Sequence, residues 1–505
     1  MPHPRLVLAA LTTLALFVLV SRAATPAKPN VLFIAVDDLN DYISPLNRHP
    51  GVKTPNLDRL ARRSVTFTNA HCAAPACHPS RVAVLTGVHP ATSGLYRNLF
   101  GAHGPRWRDE SPALKDAIVL TQHFRNHGYR AAGAGKLFHT LQWTPGDSQN
   151  DPAAWDDYRG DPLDPISPDW ARAKFESDAE AGLTPGRPLG PNQHFGAAPL
   201  AGTDEQTGDH KIVDWAAAQL RAPQTKPLFL AVGLFRPHIP FEVPQKWFDL
   251  HPLADIILPV TQANDLADAH DHGRRSWHQW VVENRQWAKL MQGYLASISY
   301  LDHQLGRLLD ALDASPLKAN TIVVLWSDHG FHVGEKENWE KFALWTQTTR
   351  VPLFISAPGQ SRDGQRSAQP ATLTDLYPTL CELAGLPIPV QCDGTSLVPQ
   401  LRDPAAPRAR LSLTSFKFAK EPAASHAVSD MRYRLIRYGD GFEELYDRDT
   451  DPHEFTNRAA DPALATVKTR LALGLPTHAA PDRTIPTDSA YHLRPAGAGK
   501  KKAAK

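Results

Sequence analysis

A chain of 505 residues exceeds what one ordinary hydrophobic core organises, so a large domain and a smaller one are expected. The hydrophobic fraction of 42% with 21% charged residues is that of a soluble globular protein, and a net charge of +2 argues against a nucleic acid or a strongly acidic partner. Forty-five prolines, nearly twice the usual share of ~5%, predict many fixed loops in place of long regular elements.

At the N-terminus Arg5 precedes the apolar run Leu6 to Val20, and Ser21-Arg22-Ala23 supplies small residues where a signal peptidase cuts. The run is shorter than the ~20 apolar residues of a membrane span. Residues 1–23 are therefore expected to be a signal peptide, giving a secreted or periplasmic protein without stable membrane association. The alternative is a retained anchor. Asn30 to Val36 is a continuous branched apolar run, the pattern of a strand buried on both faces of a parallel sheet. It ends in Asp37-Asp38, where open α/β sheets place their ligands. Adjacent carboxylates repel unless a cation neutralises them; the alternative is a solvated turn.

Thr54 to Ala61 predicts a helix with Thr54 as cap and Pro55 at its first position, and Val65 to Ala70 predicts a strand. Cys77-His78-Pro79-Ser80-Arg81 follows, then a helix from Arg81 to Gly87 whose free amides favour an oxyanion at position 77. A lone cysteine ahead of Pro-Ser-Arg fits no metal spacing. A Cys72–Cys77 bridge is the alternative, and Cys72 is otherwise a small buried residue or a reactive thiol. Leu120 to His127 predicts a helix stopped by Gly128, and a strand leads to Gly135-Lys136-Leu137-Phe138-His139. From Thr144 to about Asp209 periodicity is lost among Pro, Gly, Asp and Trp, as in a functional surface loop that shapes a pocket.

Leu228 to Leu234 is the next buried strand, with His238 held by Pro237 and Pro240 in an extended loop at its exit. Tyr294 to Leu312 is the clearest helix, its leucines on one face. The strand Thr321 to Trp326 then runs into Ser327-Asp328-His329, a loop covers Gly334 to Trp339, and Lys341 follows. Val351 to Ile355 predicts a strand and Leu376 to Leu383 a helix ended by Gly385. Cys381 and Cys392 could pair across a short loop in an oxidising compartment, a geometry that spacing alone does not fix. Past Asp393, Leu411 to Phe416 and Tyr433 to Tyr438 predict a small antiparallel sheet. The fold class is thus α/β, a large mixed and mostly parallel sheet flanked by helices, with a smaller C-terminal antiparallel-sheet subdomain. The expected division is 24–392 for the catalytic domain, 393–490 for the subdomain, and 491–505 for a disordered basic tail.

Cys77 to Arg81 with Thr86-Gly87, Thr54 to Ala61, Gly135 to His139, and the closing string from Glu444 through Asp451, Glu454 and Asn457 together resemble the sulfatase family. Lys136 with His139, Arg236 to Phe241 and the Asp328-His329 pair resemble most its iduronate-2-sulfatase-like branch. That resemblance implies a sulfuric ester hydrolase acting on a sulfated carbohydrate. It also implies conversion of Cys77 to formylglycine (3-oxoalanine) by a maturation enzyme. Asp37, Asp38, position 77, Asp328 and His329 would hold one divalent metal, Ca²⁺ by its oxygen ligands, with Mg²⁺ or Mn²⁺ left open by the imidazole. The hydrated aldehyde would attack sulfur, Arg81 would hold it, and Lys136, His238 and Lys341 would clamp the sulfate. His238 would protonate the leaving sugar oxygen, and His139 would take the proton that releases sulfate. Two other functions fit these residues: a phosphonate monoester or phosphodiester hydrolase of the same fold, and an unconverted secreted binder of sulfated glycans.

Overall fold

The computed structural model describes residues 28–98, 107–139, 151–159, 195–270 and 275–483; the leader and the basic tail lie outside them. The main sheet has eight strands: β1 (Asn30–Val36), β2 (Val65–Phe67), β3 (Arg130–Gly135), β4 (Asp157–Arg159), β5 (Leu228–Leu234), β6 (Thr321–Ser327), β7 (Leu353–Ser356) and β8 (Arg366–Ser367). Their spatial order is β8-β2-β7-β6-β1-β5-β3-β4. All neighbours are parallel except the two pairs made by β7, so the sheet is mixed but mostly parallel.

β1 is the centre because every one of its side chains is buried. Val31, Phe33 and Ala35 enter one apolar cluster, while Leu32, Ile34 and Val36 enter another on the opposite face, the two-residue alternation of a strand covered on both sides. Register then decides where chemistry can occur. Val36 stands opposite Leu234 on one side and Ser327 on the other. The residues that follow leave the sheet side by side, one strand spacing (~4.8 Å) apart.

Helices cover the two faces. α1 (Pro55–Ala61) begins where its sequence predicts, yet Thr54 does not cap it. The Thr54 hydroxyl instead accepts from the Ser44 amide at 2.9 Å. Asp302 of the long α3 (Trp287–Asp313) takes the Asn56 and Leu57 amides at 3.0 and 2.7 Å. A carboxylate supplied by a packed helix neutralises the N-terminal dipole and removes the need for a local cap. Between them in sequence, α2 spans Cys77–Thr86 and ends at Gly87, which has φ 74°. It starts four residues before the expected Arg81, because Pro79 falls in its first turn, where a missing N–H costs no hydrogen bond. Part of the supposedly aperiodic stretch after Thr144 is ordered into the fold: β4 extends the sheet edge, and Ala197–Leu200 pairs with Phe241–Pro244.

A second sheet lies C-terminal, a consecutive antiparallel meander of β9 (Ser412–Phe416), β10 (Ser425–Ser429), β11 (Tyr433–Arg437) and β12 (Glu443–Asp447). All four cysteines are free thiols. The possible Cys381–Cys392 bridge is therefore not formed, nor is a Cys72–Cys77 bridge. Cys381 sits on the buried face of the Leu376–Leu383 helix, while the Cys392 sulfur packs over Gly87. Burial holds both thiols protonated, pushed up to about 12. Among the described residues no helix is long and apolar enough to cross a membrane.

Two glycines let neighbouring strand exits cross. A Cβ on Gly233 of β5 would lie 2.2 Å from the Lys136 carbonyl oxygen, and one on Gly135, at φ 79°, 2.0 Å from the Gly233 carbonyl oxygen. Only bare backbone brings Lys136 this close to β1. Gly233→Ala is expected to destabilise the protein by about 1–3 kcal/mol through overpacking against main chain. Urea unfolding of the variant checks this.

Candidate active site

At the end of β1 the chain turns sharply through Asp37 and Asp38, both fully buried. Asp38 is in the left-handed region at φ 59°, a conformation that aspartate tolerates better than most residues but that must be held. Three contacts hold it. Its N–H donates to Asp328 Oδ1 at 3.2 Å, the Tyr294 hydroxyl of α3 donates to its carbonyl at 2.8 Å, and the Leu39 amide donates to Ser327 Oγ at 3.0 Å. The Asp37-Asp38 turn is thus fastened to the exit of β6.

α2 delivers Cys77 to the same place. Ser80 Oγ donates to the Asp328 carbonyl at 2.6 Å, and Arg81, with no exposed surface, lies between the carboxylates. Arg81 Nε donates to Asp328 Oδ2 at 2.8 Å and Nη2 to Asp37 Oδ1 at 3.1 Å. Its Nη1 donates to the carbonyls of Lys136 and Leu137. The side chain therefore joins three strand exits, a structural duty beyond the contact with position 77 that its motif implies.

Two ammonium groups flank Cys77. Lys341 Nζ is 3.0 Å from its sulfur and 2.8 Å from Asp38 Oδ1. Lys136 Nζ is 3.9 Å from the sulfur and paired with Asp37. Three histidines complete the ring. His329 Nδ1 donates to the Gly330 carbonyl at 2.9 Å, which leaves Nε2 as a lone pair 3.2 Å from Cys77 Sγ and 3.4 Å from Asp38 Oδ1. His238 donates likewise to Ile239 O at 2.6 Å, with Nε2 3.6 Å from Asp38 Oδ2. The loop carrying it is a tight turn and not the extended segment expected. Asp209 accepts the Phe235 and Arg236 amides at 2.8 and 2.9 Å, and the Arg236 guanidinium folds back onto the His238 and Pro240 carbonyls. His139 is buried, and among the described residues neither of its ring nitrogens has a hydrogen-bond partner.

Charge and desolvation set the protonation states. Burial pushes the Asp37 carboxyl up, but Lys136, His238, Arg81 and Lys341 outweigh it and hold the group well below its usual range. Asp38 goes the other way, to about 7, because burial and the neighbouring Asp37 and Asp328 charges exceed the pull of Lys341. Burial keeps His329 neutral, lowered to about 4, and places His238 and His139 well below the ordinary imidazole value, with Lys136 and Lys341 adding to the effect. Burial also holds the Cys77 thiol protonated despite both lysines.

One ligand atom each from Asp37, Asp38, Cys77 and His329 lies within 4.8 Å of the others. Asp38 Oδ2 is buried with no hydrogen-bond partner, and the His329 lone pair faces the same space. Donors so spread fit a divalent cation with oxygen ligands at ~2.3–2.6 Å. Asp328 stands beside these four: its Oδ1 accepts the Asp38 and His329 amides, and its Oδ2 lies 3.7 Å from His329 Nε2. Asp37, Asp38, Asp328, His329, Cys77, Arg81, Lys136, Lys341 and His238, all singled out from sequence, therefore meet here, and His139 lies within electrostatic reach of Lys136 and Lys341. The sequence reading missed Tyr294, Ser327 and Asp209, which hold the turns. Only position could have signalled Ser327, since it directly precedes Asp328-His329.

The sequence profile described as Sulfatase matches residues 29–386, and that described as N-sulphoglucosamine sulphohydrolase, C-terminal, matches residues 334–479. A sulfatase of Formosa agariphila is 39% identical over 441 residues, covering 86% of this chain and 83% of its own. Homo sapiens iduronate 2-sulfatase is 31% identical over 418 residues, covering 72% of this chain and 70% of its own. In fold, the chain is similar to the phosphonate monoester hydrolase SpPMH from Silicibacter pomeroyi, with a TM-score of 0.68 at 21% identity over 88% of this chain and 94% of that one.

Arg81→Met would strand Asp37 and Asp328 as buried charges without their shared partner. A loss of about 3–5 kcal/mol is expected in denaturant unfolding, well above that of an exposed arginine.

Proposed function

The chain belongs to the sulfatase family, which makes it a sulfuric ester hydrolase, and we propose that its substrate is a sulfated carbohydrate of the kind cleaved by iduronate-2-sulfatase-like enzymes. The observation that carries this is the meeting of Asp37, Asp38, Cys77 and His329 within 4.8 Å, flanked by the Lys136 and Lys341 ammonium groups. We further propose that Cys77 is matured to formylglycine by a modifying enzyme. Asp37, Asp38 and His329, with Asp328 beside them, would hold one hard divalent cation, Ca²⁺ or Mg²⁺ by the donor set. When present, the cation and the aldehyde supply an oxygen nucleophile at neutral pH that an unmodified thiol does not.

The remaining work falls to the chain's own side chains. Lys136 and Lys341 place two fixed positive charges around position 77, where negative charge gathers as a sulfate ester is attacked. Buried and preorganised, they need not reorient during reaction. His238 lies on the Asp38 side with its Nε2 toward the site, placed to carry a proton to the leaving sugar oxygen once an anion has raised its basicity. His139, neutral and without a hydrogen-bond partner among the described residues, is free to accept the proton whose removal releases sulfate. Export of the protein is part of this reading and is supported by the apolar run Leu6 to Val20.

Two measurements test it. Matured protein should hydrolyse defined sulfated disaccharides and 4-nitrophenyl sulfate far faster than 4-nitrophenyl phosphate, and Cys77→Ala should abolish turnover. Preferred phosphoester or phosphonate cleavage would assign the chain to the other hydrolase class, and an intact Cys77 in native protein would favour a binder. Metal binding should depend on pH in a definite direction. Because Asp38 is held near 7 in the metal-free site, a cation must displace a proton, so affinity rises from about pH 5.5 to about pH 8 and then levels. Calorimetric titration of the metal-free protein with Ca²⁺ or Mg²⁺ across that range measures this; an affinity independent of pH contradicts it.

A further inference from the structure

Lys341 reaches position 77 from a segment that does not hold its own shape. Between Gly334 and Thr346 four residues other than glycine have left-handed backbones: Lys336 (φ 51°), Glu337 (φ 49°), Glu340 (φ 66°) and Phe342 (φ 69°). Each such backbone is unfavourable for a residue with a Cβ and persists only where the surroundings impose it. Asp265, which accepts from Lys336 Nζ at 2.9 Å, and the His332–Val333 strand, which pairs with Trp339–Glu340, supply those surroundings before Lys341; the C-terminal sheet supplies them just beyond it.

Three consecutive residues just past Lys341 are each gripped by a buried charged side chain from that part of the chain. Arg434 of β11 donates from Nε, at 3.1 Å, and from Nη2 to the Leu344 carbonyl. Glu444 of β12 accepts the Trp345 indole N–H at 2.8 Å. Glu454, in the turn beyond β12, accepts the Thr346 amide at 2.7 Å and also the Thr346 hydroxyl. Arg434 and Glu444 have no exposed surface and Glu454 has 2%. Immediately after Lys341, the Phe342 amide donates to Pro75 O at 3.0 Å, two residues before Cys77. Ala343, Leu344 and Trp345 also share an apolar cluster with Ile436, Tyr446 and Ala76, the residue preceding Cys77.

We propose that Arg434, Glu444 and Glu454 are positioning residues: from the C-terminal sheet and the turn beyond it they fix Leu344 to Thr346, and so hold the end of the strained Gly334–Thr346 segment that presents Lys341 to position 77. This rests on the reading of Lys341 as a sulfate clamp. None of the three touches the reacting atoms; they act through Lys341. A displacement of about 1 Å at a clamp is enough to cost around 100-fold in rate, so small slackening of this segment reaches the chemistry.

A double-mutant cycle tests the proposal. Trp345→Phe keeps an aromatic ring, though a smaller one, and removes the N–H that Glu444 accepts; Glu454→Gln keeps the shape and weakens the grip on Thr346. Each is measured alone and combined with Lys341→Ala, using matured protein and the best-hydrolysed sulfate ester, with thermal unfolding recorded for every variant. Each single variant is expected to lower kcat/KM by about 10–100-fold while unfolding near the wild-type temperature, and to add no further loss to Lys341→Ala. Losses that multiply in the double variants, or single variants within twofold of wild type, overturn the proposal. Thr346→Val, a milder change, takes the place of Glu454→Gln if that variant does not fold. Wild-type activity in Lys341→Ala alone overturns the assignment of Lys341 instead, so the two failures are distinct.

Discussion

The structure depends on charge compensation out of water. Asp37, Asp38 and Asp328 face Arg81, Lys136 and Lys341 in a space where none of the three carboxylates has exposed surface. In so poorly solvated a place each charge is tolerable only because an opposite one is in contact, and removing any one leaves its neighbour stranded. The balance is uneven in a useful way. Asp37 is stabilised as an anion by several cations, whereas Asp38 is pushed toward protonation and keeps an oxygen with no hydrogen bond. An additional cation would relieve that tension, and the neutral, correctly oriented His329 is already beside it.

Delivering six charges to one point requires the sheet. Register between β1, β5 and β6 aligns the strand exits, bare glycine backbone lets Lys136 cross over β5, and α2 enters with Cys77 in its first turn. The meander of β9 to β12 is not a separate appendage, because its buried charged residues reach the segment that carries Lys341. The overlap of the two family profiles over residues 334–386 falls on this same stretch.

Much of this was legible in the sequence, for physical reasons that differ by element. β1 and β5 have their expected bounds because a strand buried on both faces is a continuous apolar run with a sharp polar end. Asp37, Asp38, Asp328 and His329 were legible because they sit at strand ends, and Cys77 and Arg81 because they lie in a short signature. What failed was tertiary. Thr54 looks like a cap, but Asp302, far along the chain, takes the amides. α2 begins at Cys77 because a first-turn proline is harmless, which a conservative reading of Pro79 overlooks. Tyr294 supports Asp38 from a helix whose periodicity reports only which face is apolar. No local pattern marks such a contact. Cys381 and Cys392 share a pairing-like spacing and pack on the same apolar cluster, yet both remain free thiols, and spacing alone does not report sulfur-to-sulfur geometry.

Burial of Cys77 also has a bearing on timing. In the folded protein neither the cysteine nor Arg81 offers any surface, and Ser80 is bonded to the backbone of a strand exit encoded almost 250 residues later in the chain. An enzyme that has to recognise these side chains finds nothing to grasp once that later strand has docked. Any enzyme that modifies this thiol would therefore have to reach it before that strand docks, and slow synthesis or delayed collapse would widen the interval open to it.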